Sequence, residues 1–167
     1  MAVFFQIQLA DRVYSVAFAE NYYLLHGGEQ LRVEACAAWC AACERFVEAE
    51  HIRGLDVMAA DVRELENLAA RPGLIPEDRP ALLFALRRWP EQRRRLEWRR
   101  LRASRARCLT CGSVEVTPID ANVEVDVPGV GRCRGGFLLL SGPEVPVHNF
   151  SPEGLRIAAP GEKRSTE

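Results

Sequence analysis

Apolar and polar residues alternate along the first third of the chain. Val3-Phe4-Phe5-Gln6-Ile7-Gln8-Leu9 reads with a period of two and predicts a strand, Asp11-Arg12 a turn, and Val13 to Ala19 a second strand. Tyr22 to Leu25 fits a third strand, and His26-Gly27-Gly28 marks a turn. Leu31 to Ala35 alternates again and runs into the first cysteines.

From about residue 55 the period lengthens to that of a helix. Asp61-Val62-Arg63-Glu64 has the spacing of a capping box, with Val62, Leu65, Leu68 and Ala69 on one face. Pro72-Gly73 should stop this helix. Asp78 can cap a next helix over about 79–88, with Leu82, Leu83, Leu86 and Trp89 inward. Pro90 lacks an N–H and predicts a break or kink before a further helix over about 90–106, the two being either separate or one kinked rod. After residue 111 the strand pattern returns at Val114 to Val116, Val123 to Val127 and Phe137 to Leu140. The glycines of Gly129-x-Gly131-x3-Gly135-Gly136 read as turns, and His148 to Pro152 as a strand end and turn.

Six cysteines change this picture. Cys40-x-x-Cys43 and Cys108-x-x-Cys111 make two knuckles, and two knuckles supply the four thiolates of a tetrahedral structural zinc site. Gly112 sits where such a turn reaches positive φ. Between the pairs lie 64 residues, Glu44 to Arg107, most of them in the predicted helices. The expected fold is α+β, a β-rich zinc-ribbon-like core with a helical insert over 44–107. It forms one zinc-stabilised domain over 1–157, followed by a flexible tail over 158–167. One structural Zn2+ is the expected cofactor. Buried free thiols and a redox dithiol are the competing readings. Cys36 and Cys133 are reserve ligands, as are His51 and His148. Cys36-x3-Cys40-x2-Cys43 also has the spacing of a radical-SAM iron–sulfur motif, but Trp39 precedes the middle cysteine and the chain is short for that barrel.

Charge adds a second feature. Residues 87–107 hold ten arginines against Glu91 and Glu97, a local charge of +8 in a chain of net charge −1. Arg87, Arg88, Arg93, Arg94, Arg95, Arg99 and Arg100, with Trp89 and Trp98, are a candidate surface for an acidic protein or for nucleic acid. The competing reading is that these arginines pair within the chain or stay solvated. Elsewhere no phosphate loop and no Ser/His/Asp grouping stands out, and three histidines give little material for catalysis. An enzyme is therefore not expected. The longest apolar runs fall far short of the ~20 residues of a membrane span, and the first basic residue is Arg12. A cytoplasmic protein with no membrane partner is the expectation.

Cys40, Cys43, Cys108, Cys111 and Gly112 together resemble the double-CxxCG proteins of bacteria, some of which are assigned as immunity proteins to co-encoded toxins. Glu44 stands where the first knuckle of that pattern has glycine. The resemblance implies a zinc-binding protein that binds another protein and has no catalytic activity.

Overall fold

The computed structural model describes residues 2–70, 79–140 and 146–158. Among these, the architecture is mixed α+β, with eleven strands and two α-helices. One compact unit gathers the chain up to Ile52 and from Ser104 onward; the other spans Arg53–Ala103.

The first unit carries all the strands, in three sheets. Strand β1 (Ala2–Leu9) pairs antiparallel with β2 (Arg12–Ala17) on one side and β9 (Gly131–Leu140) on the other, and β9 pairs with β8 (Glu124–Val127). The alternation read in β1 is real: Phe5 and Ile7 are buried while Gln6 and Gln8 are exposed. Phe5 and Ile7 join Val16, Ala37, Ile119, Val127 and Cys133 in the main core. Fully burying each such large side chain contributes roughly 1.5–3 kcal/mol.

Gly135 and Gly136 lie inside β9 and not in a turn. A Cβ on Gly135 would collide with the Phe5 ring, so the ring occupies the place of the missing side chain. Cys133 faces the same core and is 1% exposed.

A second sheet takes the order β11 (Arg156–Ile157), β10 (Val147–Phe150), β3 (Glu20–Leu24), β4 (Gln30–Arg32). Here β10 runs parallel to β3, so His148 to Phe150 form a paired strand and not merely a strand end. His26–Gly28 forms a 3-10 turn between β3 and β4.

The third sheet has the order β6 (Arg45–Glu50), β5 (Ala35–Cys40), β7 (Val116–Pro118). The alternating segment at Leu31 to Ala35 therefore divides, β4 going to one sheet and β5 to another. Residues 45–50, read from sequence as the start of the insert, form β6. This strand is covered on both faces. Val47 and Ala49 are buried on one side. On the other, Phe46 packs against Tyr14 and Trp39. Beside it, Glu48 accepts from the Asn21 side-chain amide at 2.7 Å and Glu50 from the Tyr23 hydroxyl at 2.8 Å. These two rungs, two residues apart, join β6 to β3.

The second unit contains α1 (Leu55–Ala69) and α2 (Arg79–Leu101). Helix α1 starts six residues before the capping box read at Asp61. Its N-cap, Gly54, makes no side-chain hydrogen bond, and Asp61 instead pairs with Arg53 at 2.6 Å. The predicted stop at Pro72-Gly73 and the Asp78 cap lie outside the described residues.

Helix α2 runs through Pro90 without ending. The proline and Leu86, whose carbonyl loses its i+4 donor, are both exposed, so water can satisfy that oxygen. Leu83 and Leu86 are exposed where inward positions were expected, Ala85 is buried, and the helix ends at Leu101, short of 106. Met58, Val62 and Leu96 make the core between the two helices. Among the described residues no helix is long and apolar enough to cross a membrane.

Candidate metal centre

The four cysteines of the two knuckles converge. The sulfurs of Cys40, Cys43, Cys108 and Cys111 all lie within 4.8 Å of one another. Two separations between the knuckles are 3.7 Å, for Cys40 to Cys111, and 3.9 Å, for Cys43 to Cys108. A tetrahedron with metal–sulfur distances of about 2.3 Å has edges of about 3.8 Å, so a zinc-sized ion fits. All four thiols are free, and these separations are far beyond a disulfide bond of about 2.05 Å.

Strand pairing explains the convergence. The first knuckle is the loop of the β5–β6 hairpin, with Cys40 opposite Arg45. The second is laid on both strands of that hairpin. Cys108 bridges to Ala49 on β6, and Leu109 N–H donates to the Glu48 carbonyl at 3.0 Å. Beyond it, Val116 on β7 pairs with Cys40, and Ala41 N–H donates to the Glu115 carbonyl at 3.0 Å. Backbone ladders thus deliver both Cys-x-x-Cys turns to one point.

Within the second knuckle the Cys108 sulfur accepts from the N–H groups of Thr110, at 3.4 Å, and Cys111, at 3.5 Å. Gly112 takes φ 77°, the left-handed conformation expected for it, and its N–H donates to the Cys108 carbonyl at 2.9 Å. The first knuckle reaches the same region at the equivalent position: Glu44 has φ 49°. The backbone of the turn is kept where the glycine is not.

The electrostatics match a site that expects a cation. Burial pushes the Cys43 thiol up, reinforced by hydrogen bonds with Cys111 and Cys40 and by the field of Cys108. Burial also raises Cys108, against the opposing N–H groups of Cys111 and Thr110. At Cys111 burial, which raises, is outweighed by the Ser113 N–H and by hydrogen bonds from Cys43, Cys108 and Cys40, so this thiol is lowered. Four sulfurs this close cannot all ionise alone; a divalent cation removes the obstacle.

The other cysteines stand apart. Cys36 points its sulfur at the Glu50 carbonyl, 3.8 Å away, and burial lifts its pKa to about 11. It is outside the cluster, so the Cys36–Cys40–Cys43 triplet of an iron–sulfur motif does not assemble. Cys133 lies in the main core and is raised by burial. His51 and His148 are likewise outside the cluster.

The arginine-rich segment is largely laced to itself. Arg88 sits over Phe84, Arg93 over Trp89 and Arg102 over Trp98, each ring four residues before its guanidinium. Arg95 pairs with Glu91 at 2.6 Å and Arg93 with Glu97 at 3.3 Å. Arg99 is half-buried and donates to the Arg53 and Arg102 carbonyls. Arg95 and Trp98 are buried, which removes them from the candidate surface; Trp89 is half-buried. Arg87, Arg88, Arg93, Arg94 and Arg100 remain exposed.

Sequence reasoning missed the Glu48 and Glu50 rungs. The signal was present as alternation in Arg45-Phe46-Val47-Glu48-Ala49-Glu50, but carboxylates ordinarily mark an outward face. Compared with protein-family models, with curated proteins and with solved structures, the chain gives no match.

Proposed function

We propose that this chain is a zinc-stabilised binding protein without catalytic activity of its own. The observation that carries the reading is the convergence of four sulfurs from two knuckles 64 residues apart. Four thiolates leave no open coordination position, which suits a scaffold and not a reaction centre. Cys40, Cys43, Cys108 and Cys111 would hold one Zn2+ in a zinc-ribbon-like arrangement of the β5–β6 hairpin and the loop before β7. The resemblance to double-CxxCG proteins supports another protein as the partner, in the manner of an immunity or accessory factor in the cytoplasm.

Metal analysis of the purified protein tests this. One zinc per chain is expected, lost when Cys40, Cys43, Cys108 or Cys111 becomes Ser and kept when Cys36 or Cys133 does. Protein folded without metal, or metal retained in those four variants, would refute it.

A second reading is favoured by Arg87, Arg94 and Arg100, which are exposed and absent from the pairs that lace the helix. Such arginines can contact phosphates of nucleic acid. Binding of RNA or DNA that falls steeply with salt, and is lost when all three become Glu, is its signature. Binding unchanged in that variant would rule it out.

A further inference from the structure

The four sulfurs of the metal centre are close together but unequally sheltered. Cys40 and Cys108 are 0% exposed and Cys43 is half-buried, whereas Cys111 is exposed. Backbone pairing explains the difference. Cys40 ends β5 with a partner on each side, Arg45 of β6 and Val116 of β7, and Cys108 is bridged to Ala49. Cys111 lies in the turn beyond, next to Thr110, which is also exposed. An oxidant arriving from solvent therefore meets Cys111 first. The Cys40 sulfur waits 3.7 Å away. Closing that gap to the roughly 2.05 Å of a disulfide takes a movement of under ~2 Å, within the swing of two side chains.

We propose that Cys111 is a site of oxidation by hydrogen peroxide, which Cys40 resolves as a disulfide across the two knuckles. The proposal rests on the zinc reading above, because one staple is exchanged for another. The Cys111 thiolate attacks a peroxide oxygen and the O–O bond breaks; the sulfur becomes a sulfenic acid and hydroxide leaves. The Cys40 thiolate then attacks that sulfur; the S–S bond forms and the sulfenic oxygen leaves as a second hydroxide. Both hydroxides take protons from solvent. The thiolate pair gives up two electrons and the peroxide is reduced to water. Cys43 and Cys108 then remain as half of a tetrahedral ligand set, so zinc is released. The new bond joins positions 71 apart in sequence and holds the β5–β6 hairpin to the second knuckle without metal.

The test adds hydrogen peroxide to the zinc-loaded full chain, its metal content measured beforehand. Trypsin cuts after Arg32, Arg45, Arg107 and Arg132, which puts Cys36, Cys40 and Cys43 on one peptide and Cys108 and Cys111 on another. Zinc release and a joined peptide pair, bonded between Cys40 and Cys111, are expected, in the Cys36→Ser protein as well. A limiting dose of iodoacetamide should modify Cys111 about tenfold faster than Cys40 or Cys108. Once oxidised, the protein should keep its β5 and β6 amide protection in a chelator that strips it from the reduced form. Zinc retained, a disulfide confined to one peptide, equal alkylation, or protection lost after oxidation would each overturn the proposal. A bond fragmenting to Cys43 would overturn the part given to Cys40. A chain that carries no zinc before peroxide is added overturns the scaffold reading instead, and the joined peptides still test the disulfide in it.

Discussion

The two units of this chain are held by opposite means. In the helical unit many polar contacts are local: three rings and their guanidinium groups sit four residues apart, and so do two ion pairs. Among the described residues, Met58, Val62 and Leu96 form an apolar cluster there with Ala59 beside them. In the β unit the partners are distant in sequence. Cys40 meets Cys111, Tyr23 meets Glu50, and Arg107 N–H donates to Glu50 at 2.7 Å. Local contacts are individually weak but close with little entropy loss; distant ones lose more chain entropy on closure and gain most from a staple. A metal is therefore most useful in the unit where the four cysteines lie.

Chelation should break the comparison most strongly. Removing a structural zinc costs on the order of 10 kcal/mol. Hydrogen exchange should show β5, β6 and β7 amides losing protection while α1 and α2 change far less; equal loss in both units would contradict the division drawn above. Next in size, Leu96→Ala should destabilise the helical unit by about 2–5 kcal/mol, read by thermal melting of its helical signal, with metal content unaltered.

A third test is pH. Burial raises Glu48 from 4.5 to about 7, outweighing the hydrogen bonds from Ala19 and Asn21 that lower it. The folded state therefore prefers the neutral carboxyl. Its contribution to stability is full below pH 4.5 and is lost as pH rises through 7, by up to about 1.4 kcal/mol per pH unit. Glu48→Gln should remove this slope from denaturation curves of the β unit; an identical pH profile would sink the assignment. The smallest effect belongs to the turn at Glu44. A glutamate at φ 49° is strained by about 1–2 kcal/mol, so Glu44→Gly should raise the β unit's midpoint slightly, by about 0.5–1 kcal/mol. Gly112→Ala should do the reverse.

Much of this was legible in the residues. The period-two run of β1 and the paired Cys-x-x-Cys turns announce themselves because burial and metal geometry each impose a fixed spacing. β6 was hidden because its polar positions face inward, where Asn21, Tyr23 and Arg107 satisfy them; only those distant partners make Glu48 and Glu50 acceptable in a covered strand. The helical period was read from about residue 55, where α1 begins, but the capping box was misplaced, because Gly54 offers no side-chain cap while Asp61 and Glu64 imitate one in mid-helix. Pro90 was expected to break or kink the helical path, and the helix continues through it because solvent on that side supplies what the ladder lacks. The arginines read as one charged surface because sequence counts charges and cannot see that Arg95 is buried.

One pairing has an architectural consequence. Glu50 N–H donates to the Arg107 carbonyl at 2.9 Å, and Ala49 bridges to Cys108. The chain therefore leaves the β unit and re-enters it close to these paired backbone contacts, like the stem of a loop. The cost of closing such a stem grows only with the logarithm of what hangs from it. A fold closed in this way can carry cargo of almost any length at this point, and a short glycine turn in place of Arg53–Ala103 should leave the four cysteines able to converge.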